Sequence, residues 1–248
     1  MTVSAASDRH GRPLRRQRGF TLLEMTIVLA IVGLVIGMVA PLLGQFLEQQ
    51  RTSATEDNLE EIEDALVVFV RANGRLPCPA QPEDTPLGTA PNSCTGSGDD
   101  GIVPFRTLGL PESTARDGSK NFFSYHVAED YAAASLNSDI TLGFCLETQT
   151  LTVEDAATGG SDLAPGQQVA YTLVSHGKNG FGRYSPPNSS RVDANGGSND
   201  EDENTNANDT FVFTGERTSA ATSGSFDDVV HWRTRDQIAN DVQEFGCP

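Results

Sequence analysis

Residues 18–47 read Arg18-Gly19-Phe20-Thr21-Leu22-Leu23-Glu24 and then MTIVLAIVGLVIGMVAPLLGQFL, from Met25 to Leu47. The second part is a run of 23 residues without a formal charge. At about 1.5 Å per residue a helix of that length crosses a hydrocarbon layer of about 30 Å. Arg12, Arg15, Arg16 and Arg18 lie just upstream. Positive charge stays on the cytoplasmic side, so the pattern predicts a short tail inside and the bulk of the chain outside. Glu24 does not fit an ordinary secretory signal, because a carboxylate in an apolar helix costs about 3 kcal/mol unless it is paired or neutralised. The run also ends Met38-Val39-Ala40-Pro41 rather than at a small-residue cleavage site. Arg15-Arg16 has the look of a twin-arginine signal, and Glu24 argues against that reading as well.

Downstream of Leu47 the apolar residues become periodic. Leu59, Ile62, Leu66 and Phe69 recur at spacings of three and four, with Glu56, Asp57, Glu60, Glu61, Glu63 and Asp64 between them. Such a pattern places an apolar stripe and an acidic solvated face on one helix. The expected helix runs from Phe20 to about Asn73 and stops at Asn73-Gly74.

The whole chain has 248 residues and a formal charge of −17. Residues 1–19 hold five Arg and one Asp, so the remainder carries 12 basic against 33 acidic groups. A basic leader on an acidic body excludes nucleic acid as a bulk partner, since phosphate would be repelled. After Gly74 come Pro77, Pro79, Pro82, Pro86 and Pro91 with Gly88, Gly96 and Gly98, a composition that forms a long loop. Cys78 and Cys94 bracket much of it, and closing it would stabilise by roughly 3 kcal/mol in the chain-entropy model. Cys145 and Cys247 then remain for each other, although four cysteines allow three connectivities. Two disulfides suit an oxidising compartment; no C-x-x-C pair suggests zinc.

Short β-rich stretches bounded by Gly, Asn or Asp predict strands at Asn121–Val127, Ile140–Leu146, Gln168–Val174, Thr210–Thr214 and Asp228–Trp232. Helices are expected at Ala128–Leu136 and Thr234–Phe245. The fold class is therefore α+β: a long N-terminal helix, half membrane-type and half amphipathic, packed on a small antiparallel sheet.

Arg18 to Met25 resembles the processing signal of type IV pilins and type II secretion pseudopilins. That resemblance implies cleavage after Gly19 by a prepilin peptidase and methylation of the new N-terminal Phe20. It also implies that Glu24, fifth in the mature chain, pairs with the terminal amine of an adjoining subunit, which supplies the compensation a buried carboxylate needs. Gly33 and Pro41 extend the likeness. The organisation it implies is a leader at 1–19, a filament-core or transmembrane helix at 20–47, its amphipathic half at 48–73 and a loop-rich domain at 74–248. The implied partners are like and related pilin subunits, the prepilin peptidase, the inner-membrane assembly platform and the membrane. The implied location is the bacterial inner membrane, single-pass with a periplasmic domain, and then the filament.

Two further stretches are similar to pseudopilins. One is Pro104 to Pro111 followed by Asp117-Gly118-Ser119-Lys120-Asn121 and Tyr125; the other is Tyr171 to Gly180 followed by Asp227-Asp228-Val229-Val230-His231-Trp232. In that family a calcium ion fixes the loop between the last two segments. Asp228 matches the family's Asp four residues before Trp, and Asn179 stands where the family more often has Asp. The residues themselves show oxygen-bearing side chains at alternate positions, Asp200, Asp202, Asn204, Asn206 and Asn208. Hard oxygen ligands favour Ca²⁺. The candidate ligands are Asp200 and Asp202 from this alternation, with Asp227 and Asp228 as the resemblance implies. An EF-hand is excluded, because Thr205 holds the position that needs Gly and Phe211 the position of the bidentate Glu. A solvated acidic loop is the alternative reading of this stretch.

No enzyme is expected. Ser175 and His176 are adjacent and so would point apart in a strand, no Gly-x-Ser-x-Gly elbow surrounds the Ser, and Gly177-Lys178-Asn179-Gly180 lacks the spacing of a phosphate-binding loop. Two other readings stand beside the filament subunit: a minor or tip subunit acting as an adhesin or substrate binder through the loops at 75–120 and 177–227, and a membrane-anchored domain that keeps its leader.

Overall fold

The computed structural model describes residues 19–94, 100–133, 143–192, 198–206, 208–215, 225–242 and 247, without the side chains of 39–42. It divides into two compact units, 1–47 and 48–248. Helix α1 runs over Leu22–Asn73. It begins two residues later than expected because Thr21 caps it: the Glu24 amide donates to Thr21 Oγ1 at 3.2 Å, half of a Thr-x-x-Glu capping box. It ends where predicted, with Gly74 at φ 71° and its amide donating to the Val70 carbonyl at 2.7 Å.

Within the first unit, an 18-residue window of α1 has a mean hydropathy of 2.7 and none of it is buried. The helix is long and apolar enough to cross a membrane.

In the second unit the stripe Leu59, Ile62, Leu66 and Val70 is buried. Val70 replaces the expected Phe69, which is half-buried with the Arg75 guanidinium over its ring at 5.8 Å. The main sheet has four antiparallel strands in the order β1 (Asp100–Ile102), β2 (Ser124–Val127), β4 (Val169–Ser175), β8 (Val229–Thr234). All seven residues of β4 are buried, as befits a strand with neighbours on both edges. Ladder pairs share a face, so Tyr125 and Leu173 stand together on one side, and Ser124 with Val174 and His126 with Thr172 on the other. Glu63 of α1 pairs with Arg233 of β8, and Arg233 also meets Asp241 of helix α5 (Arg235–Val242).

Two expectations change. Residues 144–146 form a 3₁₀ turn rather than a strand, closed by the Glu147 amide donating to the Phe144 carbonyl at 3.4 Å. The carbonyls of Cys145 and Glu147 turn instead to Arg235 Nη1, at 3.1 and 3.2 Å. Residues 140–142 lie outside the described set. Strand β7 (Thr210–Val212) does not join the antiparallel sheet; it pairs in parallel with β3 (Thr152–Glu154). Hairpin β5 (Tyr184–Ser185) and β6 (Asn188–Arg191) adds a second pair. Short helices α2 (Phe105–Leu108), α3 (Glu129–Ala132) and α4 (Asn199–Glu203) complete the described elements. The disulfides are Cys78–Cys94 and Cys145–Cys247.

Candidate functional site

Two places carry the chemistry expected from the sequence. The first is the start of α1, where Gly19, Phe20 and Glu24 are all exposed. Phe20 is 78% exposed. Glu24 sits in the first turn, where the helix dipole favours its negative charge.

The second lies where the excursion between β4 and β8 returns to the sheet. Gly177, at φ 52°, starts that excursion, and a Cβ there would meet the Asp227 carbonyl oxygen at 2.4 Å, so only glycine allows the two ends to meet. Asp227 Oδ2 accepts from the Lys178 and Asn179 amides at 2.8 and 3.0 Å. Glu201 Oε1 accepts from Asn179 Nδ2 at 2.8 Å and from the Asp227 amide at 3.2 Å. Asp228 Oδ2 accepts from Asn204 Nδ2 at 3.0 Å, and Asn204 is fixed in turn by both backbone groups of Val212. Asp117 clamps the same turn from the other side: its Oδ2 accepts from Ser175 Oγ at 2.8 Å, while Asn121 Nδ2 donates to the Gly177 carbonyl at 2.7 Å.

The result is a cluster of three carboxylates, Glu201, Asp227 and Asp228, each with an oxygen within 4.8 Å of the others. Glu201 Oε2, Asp227 Oδ1 and Asp228 Oδ1 are buried and have no hydrogen-bond partner among the described residues. Burial pushes the Glu201 carboxyl up, and it pushes Asp228 well above the carboxylate range, with Glu201 and Asp227 adding to the rise. Carboxyl groups held this close, with one oxygen each left over, match the requirement of a hard divalent cation. A cavity of 460 Å³ is lined by both aspartates together with Arg51, Lys178 and Phe213.

The structure thus brings together two of the four predicted ligands. Asp200 lies elsewhere, accepting from the Ala157 amide at 2.7 Å, and Asp202 is an exposed residue of α4. Alternate residues share a side in a strand but not in a helix, and 199–203 are helical. Glu201 takes the place that Asp200 and Asp202 were expected to fill. A signal for it exists in the sequence: Ser198-x-x-Glu201 is a capping box, and the Glu201 amide does donate to Ser198 Oγ, at 3.3 Å.

His176, wholly buried, closes the site from below. Its Nε2 shares a 2.7 Å hydrogen bond with Ser124 Oγ, and its Nδ1 lies 3.9 Å from Asp228 Oδ1. Burial, reinforced by Arg191, drives its pKa down to about 3. This Ser-His-Asp order does not read as a nucleophile, since all three residues are 5% exposed or less and Arg191 Nη1 already donates to Ser124 Oγ at 3.0 Å.

Comparison with known proteins identifies the first of these places. Residues 14–40 carry the prokaryotic N-terminal methylation motif. The chain is also 37% identical over 73 residues to type II secretion system core protein G of Pectobacterium carotovorum subsp. carotovorum. That match covers 29% of this chain and 46% of the relative, so the chain spans about half the length of the curated relative it matches. No solved structure matches the chain.

Proposed function

We propose that this chain is a structural subunit of a type IV pilus-like filament, of the type II secretion pseudopilus kind. The observation that carries the reading is the methylation motif at 14–40 placed on an exposed apolar helix that holds Glu24 in its first turn. A prepilin peptidase would cut after Gly19, and methylation would follow on Phe20. The single span would hold the chain in the inner membrane with its acidic domain in the periplasm until the assembly platform extracts it. Neighbouring pilin subunits would then cover the apolar half of α1, and their Phe20 amines would neutralise Glu24. No catalytic role is assigned to any residue.

In this reading Glu201, Asp227 and Asp228 would hold Ca²⁺, which supplies positive charge where three carboxylates crowd together and pins the end of the excursion to β8. The length of that excursion, with its own hairpin and a strand, β7, that pairs outside the main sheet, favours a minor or tip subunit as the second reading.

Glu24→Ala tests the filament role. The variant should insert in the membrane as the wild type does yet be lost from sheared filaments, measured by immunoblot of filament and membrane fractions. Wild-type incorporation would remove Glu24 from assembly.

A further inference from the structure

The buried stripe Leu59, Ile62, Leu66 and Val70 continues towards the N-terminus, at the same three-four spacing, as Thr55, Thr52 and Glu48. Over those turns the domain leaves a space instead of a core. This is the 460 Å³ cavity, walled on its α1 side by Glu48, Arg51, Thr52, Thr55 and Glu56. Its size is that of a ligand pocket, about 300–1,000 Å³.

Two cations line it, Arg51 and Lys178. The other described arginines all donate side-chain hydrogen bonds to the protein. The Arg51 guanidinium donates none among the described residues, and its ion-pair partner is Glu48 at 3.5 Å. The Lys178 ammonium has neither hydrogen bond nor ion pair among the described residues. Of the carboxylates on the walls, Asp227 and Asp228 belong to the cluster described above, which leaves Glu48 and Glu56 on α1. The cavity therefore offers spare donors and spare acceptors together. A bare phosphate would meet all four carboxylates, and a bare cation would meet both cations. A zwitterion with a phosphate and a primary ammonium answers both: the phosphate takes N–H groups of Arg51 and Lys178, and the ammonium gives its own to Glu48 and Glu56.

Glu48 follows Leu47, the last residue of the uncharged run, and Arg51 stands four residues past Leu47. That is about 6 Å of helix and no more than about 14 Å of any chain, so a headgroup can reach Arg51 while its acyl chains stay in the layer that the run crosses. Phe213, 42% exposed, adds apolar surface to the same cavity. We propose that the cavity binds the headgroup of a phosphatidylethanolamine-type phospholipid and so fastens the domain to the membrane surface until the subunit is extracted. The inference rests on reading 25–47 as a membrane span and adds to it a lipid site in the domain.

The test uses the full chain in vesicles of phosphatidylcholine, whose quaternary ammonium has no N–H to give, with phosphatidylethanolamine added in steps. Trp232, the only tryptophan of the chain, stacks edge-on against Phe213 with ring centroids 5.3 Å apart, so its fluorescence reports on the cavity. The expected result is a change that saturates with the phosphatidylethanolamine fraction. Arg51→Gln should move the half-saturation point up about 10-fold with an unchanged circular dichroism melt, and Lys178→Gln should do likewise and serves if the first variant does not fold. No saturable change in the wild type, or half-saturation in both variants within about twofold of it, overturns the headgroup site. The same change on adding inorganic phosphate to pure phosphatidylcholine vesicles makes the occupant a free anion and overturns the lipid. A chain that alkaline carbonate washes from the vesicles overturns the span reading and the site with it, whereas retention without a fluorescence response overturns the site alone.

Discussion

Along α1, Leu22, Leu29, Leu34 and Met38 are 87, 65, 61 and 63% exposed, whereas Leu59, Ile62, Leu66 and Val70 are at 0 or 1%. Both halves are helical, and both are rich in aliphatic residues. The second half is amphipathic and buries its stripe within its own unit, leaving Glu56, Asp57, Glu60, Glu61 and Asp64 to the surface. The first half is apolar all round and, within its unit, buries none of its described side chains. Burial of apolar surface is the main favourable term in protein assembly, and the first half is the surface that the proposed membrane and filament roles would cover. One helix therefore carries two kinds of apolar surface, of which the second is buried within its own unit.

The comparison breaks most easily at Leu66. Leu66→Ala should destabilise the domain by about 2–5 kcal/mol through a cavity in the core, measured by urea unfolding, while Leu29→Ala should leave the same transition within about 0.5 kcal/mol. Equal effects of the two would erase the distinction. Acid sharpens it. Burial would raise Asp100, but the hydrogen bond from His126 and the charge and hydrogen bonds of Arg191 outweigh this and hold its pKa at about 2. A depressed carboxylate contributes stability that is complete above its unfolded value of about 4 and is lost as pH falls towards 2. The shift corresponds to about 2 kcal/mol. Asp100→Asn should remove that pH dependence from the domain's unfolding, and the helicity of 22–47 should be indifferent to it. The smallest effect belongs to the cap: Thr21→Ala should speed amide exchange at Glu24 by an amount equivalent to about 1 kcal/mol and leave the amides of 59–70 untouched.

What was legible in the sequence follows the same division. The 23-residue uncharged run and the three-four spacing placed α1 and its end at Asn73 because both signals are local. Strands β2, β4 and β8 were readable from β-branched and aromatic runs. Strand β1 was not, since Asp100-Gly101 looks like a turn; Gly101 is there because a Cβ would meet the Ala80 carbonyl oxygen at 2.5 Å. The parallel pairing of Thr152–Glu154 with Thr210–Val212 joins segments far apart in the chain, and no local pattern announces it. In the acidic stretch the alternation of oxygen-bearing residues suggested a loop, while the capping box at Ser198 and Glu201 was the stronger signal and fixed a helix instead. Asp227 and Asp228 entered the expected set through the resemblance of 227–232 to pseudopilins, and the structure places both in the carboxylate cluster. Glu201 reaches them only through the fold.

The account turns on the junction between Gly19 and Phe20, and mass spectrometry of the chain purified from membranes of the native cell addresses it directly. The predicted result is a chain beginning at N-methylated Phe20. A terminus at Met1 or Thr2, or a cut near Ala40, would contradict the filament reading.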